Sequence, residues 1–294
     1  MSDSRRESLK EKILNTEDLP TLPITVSRIL ELVDNPKTTA GMLSELINID
    51  PVLAAKVLKV ANSAFFGFPR RISTLNLAIV ILGFSSLKHL CLSVGIMNLW
   101  PENEKGSGLE MNAFWSHSIA TGVAARLIAK KVKYEIPGEA FVCGLIHDIG
   151  KLLLNDLLNE EYKEILSSSQ EGIRPLHAIE EDTLGVDHSL VGGWLTEKWN
   201  LPQELVQSIK AHHNINGQND NLLDMIVYVA DSLAHRYKVG NSGNFNPDKF
   251  EECLTNLCEK FGIDMAKIDM DEIMTEYEEE LVNSKAFFNL NSTT

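Results

Sequence analysis

An apolar run, Cys143-Gly144-Leu145-Ile146, leads straight into His147 and Asp148, and Ile149, Gly150 and Lys151 follow. Neighbouring side chains on a helix project about 100° apart, because one turn takes about 3.6 residues. A histidine and an aspartate placed this way serve one metal ion only if that flank of the helix is buried. The remaining ligands must then come from other elements. A chain carrying this stretch therefore has to wrap several segments around it.

The rest of the chain reads as those segments, and they are helical. Residues 1–18 are polar and charged, a frayed helix, and the prolines of Leu19-Pro20-Thr21-Leu22-Pro23 hold the backbone extended behind it. Ile24, Val26, Ile29, Leu30, Leu32 and Val33 then fall mostly on one helical face, and Asn35-Pro36 ends that helix. Thr38 or Thr39 caps a second helix, and Asp50-Pro51 opens a third as N-cap and first residue. The aromatic loop Phe65-Phe66-Gly67-Phe68 is expected to plug the underside of these helices. Helical patterning resumes at Leu75–Leu82, breaks at Gly83 and continues through Leu87–Leu99.

Beyond the polar stretch Pro101–Gly108 lie a long helix over Met111–Lys133 and a turn at Pro137-Gly138 into the central motif. Amphipathic segments follow over Lys151–Gln170 and Pro175–Leu184, and Asp187 is placed to cap Ser189–Trp199. A helix from Leu201-Pro202 ends in His212-His213, and Leu222–Tyr237 is apolar around Asp231. A loop over 240–248 and two surface helices in the acidic tail complete the chain. No alternating β-branched stretch stands out, so the expected fold class is all-α. We expect an N-terminal helical subdomain over 15–100 packed on a helical bundle over 109–240, with a C-terminal extension over 246–285.

Composition narrows the partners. With 27 basic and 41 acidic residues the net charge is −14, which repels phosphate backbones and anionic membranes. The short basic groups Arg5-Arg6, Pro69-Arg70-Arg71 and Lys130-Lys131 read as solvated helix ends, so neither a nucleic acid nor a membrane is expected as a partner. No run reaches bilayer-spanning length, and no apolar stretch with a cleavage site follows the N-terminus. The four cysteines, Cys91, Cys143, Cys253 and Cys258, lack the spacing of a disulfide framework or a zinc ribbon. They read as core thiols of a reduced, cytoplasmic protein.

Five histidines and two aspartates sit in or at the ends of the helices of residues 110–237: His117, His147, Asp148, His188, His212, His213 and Asp231. Imidazole nitrogen mixed with carboxylate oxygen suits Fe or Mn, with Zn admissible, whereas Mg or Ca prefers oxygen alone. About four such residues hold one ion. Seven suffice for two divalent ions bridged by a carboxylate, an arrangement that polarises a phosphoryl oxygen and ionises a bound water.

The order H…HD…D resembles the HD superfamily of metal-dependent phosphohydrolases, and His147-Asp148-Ile149-Gly150-Lys151 is similar to the form found in its HD-GYP branch. By that resemblance His117, His147, Asp148 and Asp231 hold one metal. Asp148 bridges to a second held by His188, His212 and His213, and Lys151 sits near a substrate phosphate, making Asp148 and Lys151 the catalytic pair. Where the stretch that gives HD-GYP its name should follow, this chain has Asn214-Ile215-Asn216-Gly217, a departure that argues against cyclic-dinucleotide hydrolysis.

In the first hundred residues, Leu19-Pro20-Thr21-Leu22-Pro23, Asp50-Pro51, Lys59-Val60-Ala61-Asn62-Ser63 and Ala78-Ile79-Val80-Ile81-Leu82-Gly83 resemble the motifs of the HDOD domain, an HD-related output domain of bacterial signalling proteins. The likeness covers about residues 15–235. It implies an all-helical fold and a signalling role, in a family generally regarded as having lost the catalytic ligands that this chain keeps.

Any single histidine is more often a satisfied core or surface residue than a ligand, and His89, His177 and His235, outside the pattern, are read that way. Lys151 taken alone is a surface lysine. Arg126 and Lys210 are the nearest other cations in sequence to the constellation, which suits a small phosphate ester better than a polyanion. The expectation is a regulatory HDOD-type module with a metal site, binding a signalling protein or a small phosphorylated ligand. The alternative is a metal-dependent phosphohydrolase acting on a phosphomonoester or nucleotide.

Overall fold

The computed structural model describes residues 2–16, 19–100, 108–170, 174–213, 221–243 and 249–290. The polar stretch at 101–107, the Asn214–Gly217 segment and part of the loop at 240–248 lie outside them. Among the described residues every regular element is a helix. The chain divides into two units, one of residues 1–19 and 103–277 and the other of 20–102 and 278–294.

The second unit is built from α2 (Ile24–Val33), α3 (Ala40–Asn48), α4 (Pro51–Ala61), α5 (Leu75–Met97) and the short α15 (Lys285–Phe288). Local chemistry sets their starts. Thr39 rather than Thr38 caps α3, its hydroxyl accepting from Met42 N. Asp50 accepts from Val52 N and Leu53 N, and Pro51 occupies the first position of α4, where its missing N–H costs nothing. Asn62 holds the following loop, accepting from Ile72 N (2.7 Å) and donating to Leu58 O and Ile72 O (both 2.8 Å). The aromatic loop is a plug only at Phe65, which is buried against Phe66 and Phe287, whereas Phe68 is exposed.

Helix α5 is long and apolar enough, by length and composition, to cross a membrane, which corrects the expectation that no run is. Gly83 (φ 81°, ψ 165°) breaks it into two pieces, each short of the ~20 residues a span requires. The second piece, from Leu87 to Met97, is almost wholly buried in the core of this unit.

The first unit comprises α1 (Ser2–Asn15), α6 (Met111–Lys131), α7 (Pro137–Ile146), α8 (Ile149–Gln170), α9 (Leu176–Leu184), α10 (His188–Lys198), α11 (Gln203–Ala211), α12 (Leu222–Arg236), α13 (Phe250–Phe261) and the start of α14 (Met270–Asn283). Its centre is the packing of α6 on α7 and α12. A Cβ on Gly144 would meet Thr121 O at 2.7 Å and Gly122 Cα at 2.9 Å, so α7 lies directly against the backbone of α6. Gly150 does the same for α8 and α10: a Cβ there would sit 2.0 Å from His188 O and 2.6 Å from Gly192 N. These two glycine contacts draw His117, His147 and His188 towards one point.

The acidic tail forms two helices, each with one face exposed and the other packed inward. Phe250, Leu254 and Leu257 of α13 and Ile273 and Tyr277 of α14 are buried. Tyr277 donates to Ala120 O (3.2 Å), and Lys131 pairs with Glu272 and Glu276 at 2.9 and 2.7 Å.

Candidate metal centre

His147 and Asp148 do not share a helix. Helix α7 ends at Ile146 and α8 begins at Ile149, so the pair forms the turn between them. From this turn Asp148 faces both ways. Its Oδ2 lies 3.3 Å from His147 Nε2 and 4.0 Å from His117 Nε2. Its Oδ1 lies 3.1 Å from His188 Nε2 and 3.6 Å from His212 Nε2. One carboxylate thus looks at two separate imidazole sets.

The ligand atoms of Asp148, His188, His212 and His213 all lie within 4.8 Å of one another, as do those of His117, His147 and Asp148. Asp231 joins through its Oδ1, 2.9 Å from His117 Nε2 and 3.5 Å from His147 Nε2. All seven residues singled out in the sequence are therefore brought together. His117, His147, Asp148, His188, His212 and Asp231 are buried, and His213 is partly exposed.

Three of the rings are held by their other nitrogen. His147 Nδ1 donates to Gly144 O (2.8 Å), and His212 Nδ1 donates to Ile209 O (2.6 Å). His188 Nδ1 donates to Glu180 Oε2 (2.5 Å), which also accepts from the His188 backbone N–H (2.9 Å). Tyr162 supports Glu180 from behind through an O–H bond of 2.6 Å to Oε1. With Nδ1 committed as donor, Nε2 carries the lone pair, the form in which imidazole binds a metal. Glu180 is invisible to a search for the H…HD…D order. The one sequence hint is its place eight residues before His188, on an otherwise ordinary acidic helix.

Lys151 is not a surface lysine. It is fully buried, its Nζ 2.6 Å from Asp148 Oδ2 and 3.2 Å from Ser242 Oγ. His235 also departs from expectation, because its Nε2 lies 3.4 Å from Asp231 Oδ1 and its ring 4.7 Å from that of His117. His177 stacks on His213 with ring centroids 4.3 Å apart.

The charges respond to this crowding. With no cation bound, burial disfavours the imidazolium of His147, but the carboxylates of Asp148 and Asp231 outweigh it and raise its pKa to about 10; a metal ion would displace that Nε2 proton and take the lone pair. Burial likewise disfavours the Asp148 carboxylate, yet His147 and Lys151 hold it well below the usual range. Burial dominates at His212 and His213, which are pushed down and stay neutral, and it takes His235 to about 4.

Does this set fit a metal? His147 Nε2, His212 Nε2, His235 Nε2 and Asp148 Oδ1 are buried atoms with no hydrogen-bond partner. Buried polar atoms are nearly always paired, and four orphans pointing into one cluster need a common partner. His188 Nε2 and His213 Nε2 stand only 2.7 Å apart, so one must carry a proton or the two must share a cation. The donor set fits, and it supports the binding of divalent metal.

An all-helical bundle with an H…HD…D centre defines a protein of the HD type. A match to the HDOD domain spans residues 19–215, and the chain belongs to the HDOD family. An HDOD domain protein of unknown function from Geobacter sulfurreducens has the same fold over the whole of both chains, with 25% identity and a TM-score of 0.80. A candidate phosphohydrolase from Shewanella amazonensis is also 25% identical, with 97% of this chain and 98% of that one covered and a TM-score of 0.76. An uncharacterised protein of Treponema pallidum is 26% identical over 215 residues, 73% of this chain but only 41% of that relative's length.

Proposed function

We propose that this HDOD protein is a regulatory module of a bacterial signalling system, in which the HD centre holds divalent cations inside the fold and other surfaces engage a partner. The observation that carries this reading is the enclosure of the centre. Six of the seven ligand candidates are at most 2% exposed, and Lys151 is spent on Asp148 rather than held in an open cleft. Large apolar side chains exposed on the second unit, Ile24, Ile49, Val52 and Val80, support a signalling protein as the partner. The mixed nitrogen and oxygen donors favour Fe or Mn over Mg or Ca, with Zn also accommodated. His117, His147, Asp148 and Asp231 would hold one ion, and His188, His212 and His213, with Asp148 between, a second.

A second reading, a metal-dependent phosphohydrolase, is favoured by the two-faced Asp148, since a bridging carboxylate is the usual core of a two-metal hydrolytic site. Bound cations would supply Lewis acidity towards a phosphoryl oxygen. The chain's own part would be to keep Asp148 ionised through Lys151 and to fix the rings through Gly144, Ile209 and Glu180. A phosphomonoester or nucleotide fits the low positive charge of the surroundings.

Metal analysis of the purified protein, followed by phosphatase and phosphodiesterase assays with Mn or Fe supplied, separates the two. The module reading expects bound metal and no turnover. Turnover abolished by Asp148→Ala, and untouched by surface changes, would replace it with the enzyme.

A further inference from the structure

Helix α12 contributes more to the centre than Asp231. His235 lies one turn further along the same helix and is nearly buried, and its Nε2 has no hydrogen-bond partner. Three imidazole nitrogens surround Asp231 Oδ1: His117 at 2.9 Å, His235 at 3.4 Å and His147 at 3.5 Å. The ligand atoms of His117, Asp231 and His235 all fall within 4.8 Å of one another, the same span as in the two groups built on Asp148. The i,i+4 spacing on α12 puts an oxygen and a nitrogen donor on one face.

We propose that His235 is an additional ligand of the cation held by His117 and Asp231, so that this ion has one more protein donor than the H…HD…D order provides. The inference rests on the metal-binding reading above and extends it. His117 belongs both to the group of Asp231 and His235 and to the group of His147 and Asp148, and an ion drawing on both would keep at most one of six positions for water or another ligand. The ion on the side of His188, His212 and His213 keeps more. The first ion is thereby a closed, fold-stabilising cation, and any exchangeable ligand belongs to the second.

The test uses the full-length protein, stripped of metal and reloaded. With Co(II) as probe, His235→Gln should weaken uptake of one ion by 10–100-fold and change the visible d–d bands. His235→Glu, which puts a carboxylate donor of similar reach in place of the imidazole, should recover most of the affinity. Equal affinity and identical bands for the parent and both variants would overturn the proposal. So would equal loss in both variants with the metal-free fold intact, which would make the ring a packing element.

A readout on the parent alone guards against variants that do not fold. In Zn(II)-loaded protein labelled with 15N-histidine, six of the eight histidines should show metal-bound ring nitrogens, those of His117, His147, His188, His212, His213 and His235. An unbound His235 signal would refute the inference while leaving the metal reading standing. A parent that takes up no metal would instead remove that reading itself, and this proposal with it.

Discussion

Gly150 gives the sharpest test of how the centre is assembled. Its replacement by alanine is simple in chemistry and severe in geometry, because the added Cβ would lie 2.0 Å from His188 O, 2.6 Å from Gly192 N and 2.9 Å from His188 C. Carbon contacts settle near 3.5 Å, so α8 and α10 would have to part by roughly 1.5 Å. All three obstructing atoms are backbone, and no rotamer change can relieve them. Overpacking a core typically costs about 1–3 kcal/mol, and a rigid backbone clash belongs at the upper end. At roughly 2–4 °C per kcal/mol for a protein of this size, about 3 kcal/mol lowers Tm by about 6–12 °C.

The same displacement carries His188 away from Asp148 Oδ1, now 3.1 Å distant. Metal uptake should therefore fall together with stability. Differential scanning calorimetry and elemental analysis on the same preparations measure both. Gly41→Ala is the control, since a Cβ at this exposed position meets only Thr39 Oγ1 at 3.8 Å. It should hold or slightly raise Tm, since alanine favours the helix over glycine, and leave metal content alone. A Gly150→Ala protein within about 1 °C of the parent, with full metal content, would refute the argument that this glycine sets the approach of α8 to α10.

Further outcomes follow from the same geometry. Asp148→Ala should lose more metal than His188→Ala, because Asp148 faces both imidazole sets and His188 only one; equal losses by elemental analysis would count against a shared carboxylate. Glu180→Ala should destabilise by about 2–4 kcal/mol in urea melts, since the buried Tyr162 hydroxyl, His188 N–H and His188 Nδ1 all lose their acceptor. His89 is buried with its Nδ1 unpaired, and burial takes its pKa to about 4. The unfolded chain then binds the extra proton first, so stability falls as pH drops from 6.5 towards 4, by on the order of 2 kcal/mol. His89→Phe should flatten that part of the pH–stability curve relative to the parent, and an unchanged slope would show the ring is not excluded from water.

Much of the helical framework was legible because helix ends are set by neighbours in sequence. Asp50 and Asp187 cap through their own side chains, accepting from N–H groups two or three residues on, and Gly83 breaks α5 through its own backbone. The same local logic explains the failures at the edges of that reading. The break between Ile146 and Ile149 carries no proline or glycine, and Asp148, though of a type that caps helices, reads equally as a ligand, so the sequence leaves this turn unmarked. The acidic tail reads as surface helices, and what the sequence left open is that its few apolar residues pack inward.

The sequence by itself determined that this chain is helical, that its histidines and aspartates come in the HD order, and that its early motifs are those of HDOD. These are properties of spacing and of local hydrogen bonds. Only the tertiary structure decided which rings meet. His235 and His177 have the same composition-level claim as His188, and Glu180 the same as any surface glutamate, until the packing of α6, α9 and α12 fixes their distances. Lys151 reads as solvated until α8 turns it inward onto Asp148. Convergence depends on how closely backbones approach, through Gly144 and Gly150 above all, and that approach is a sum over contacts far apart in the chain.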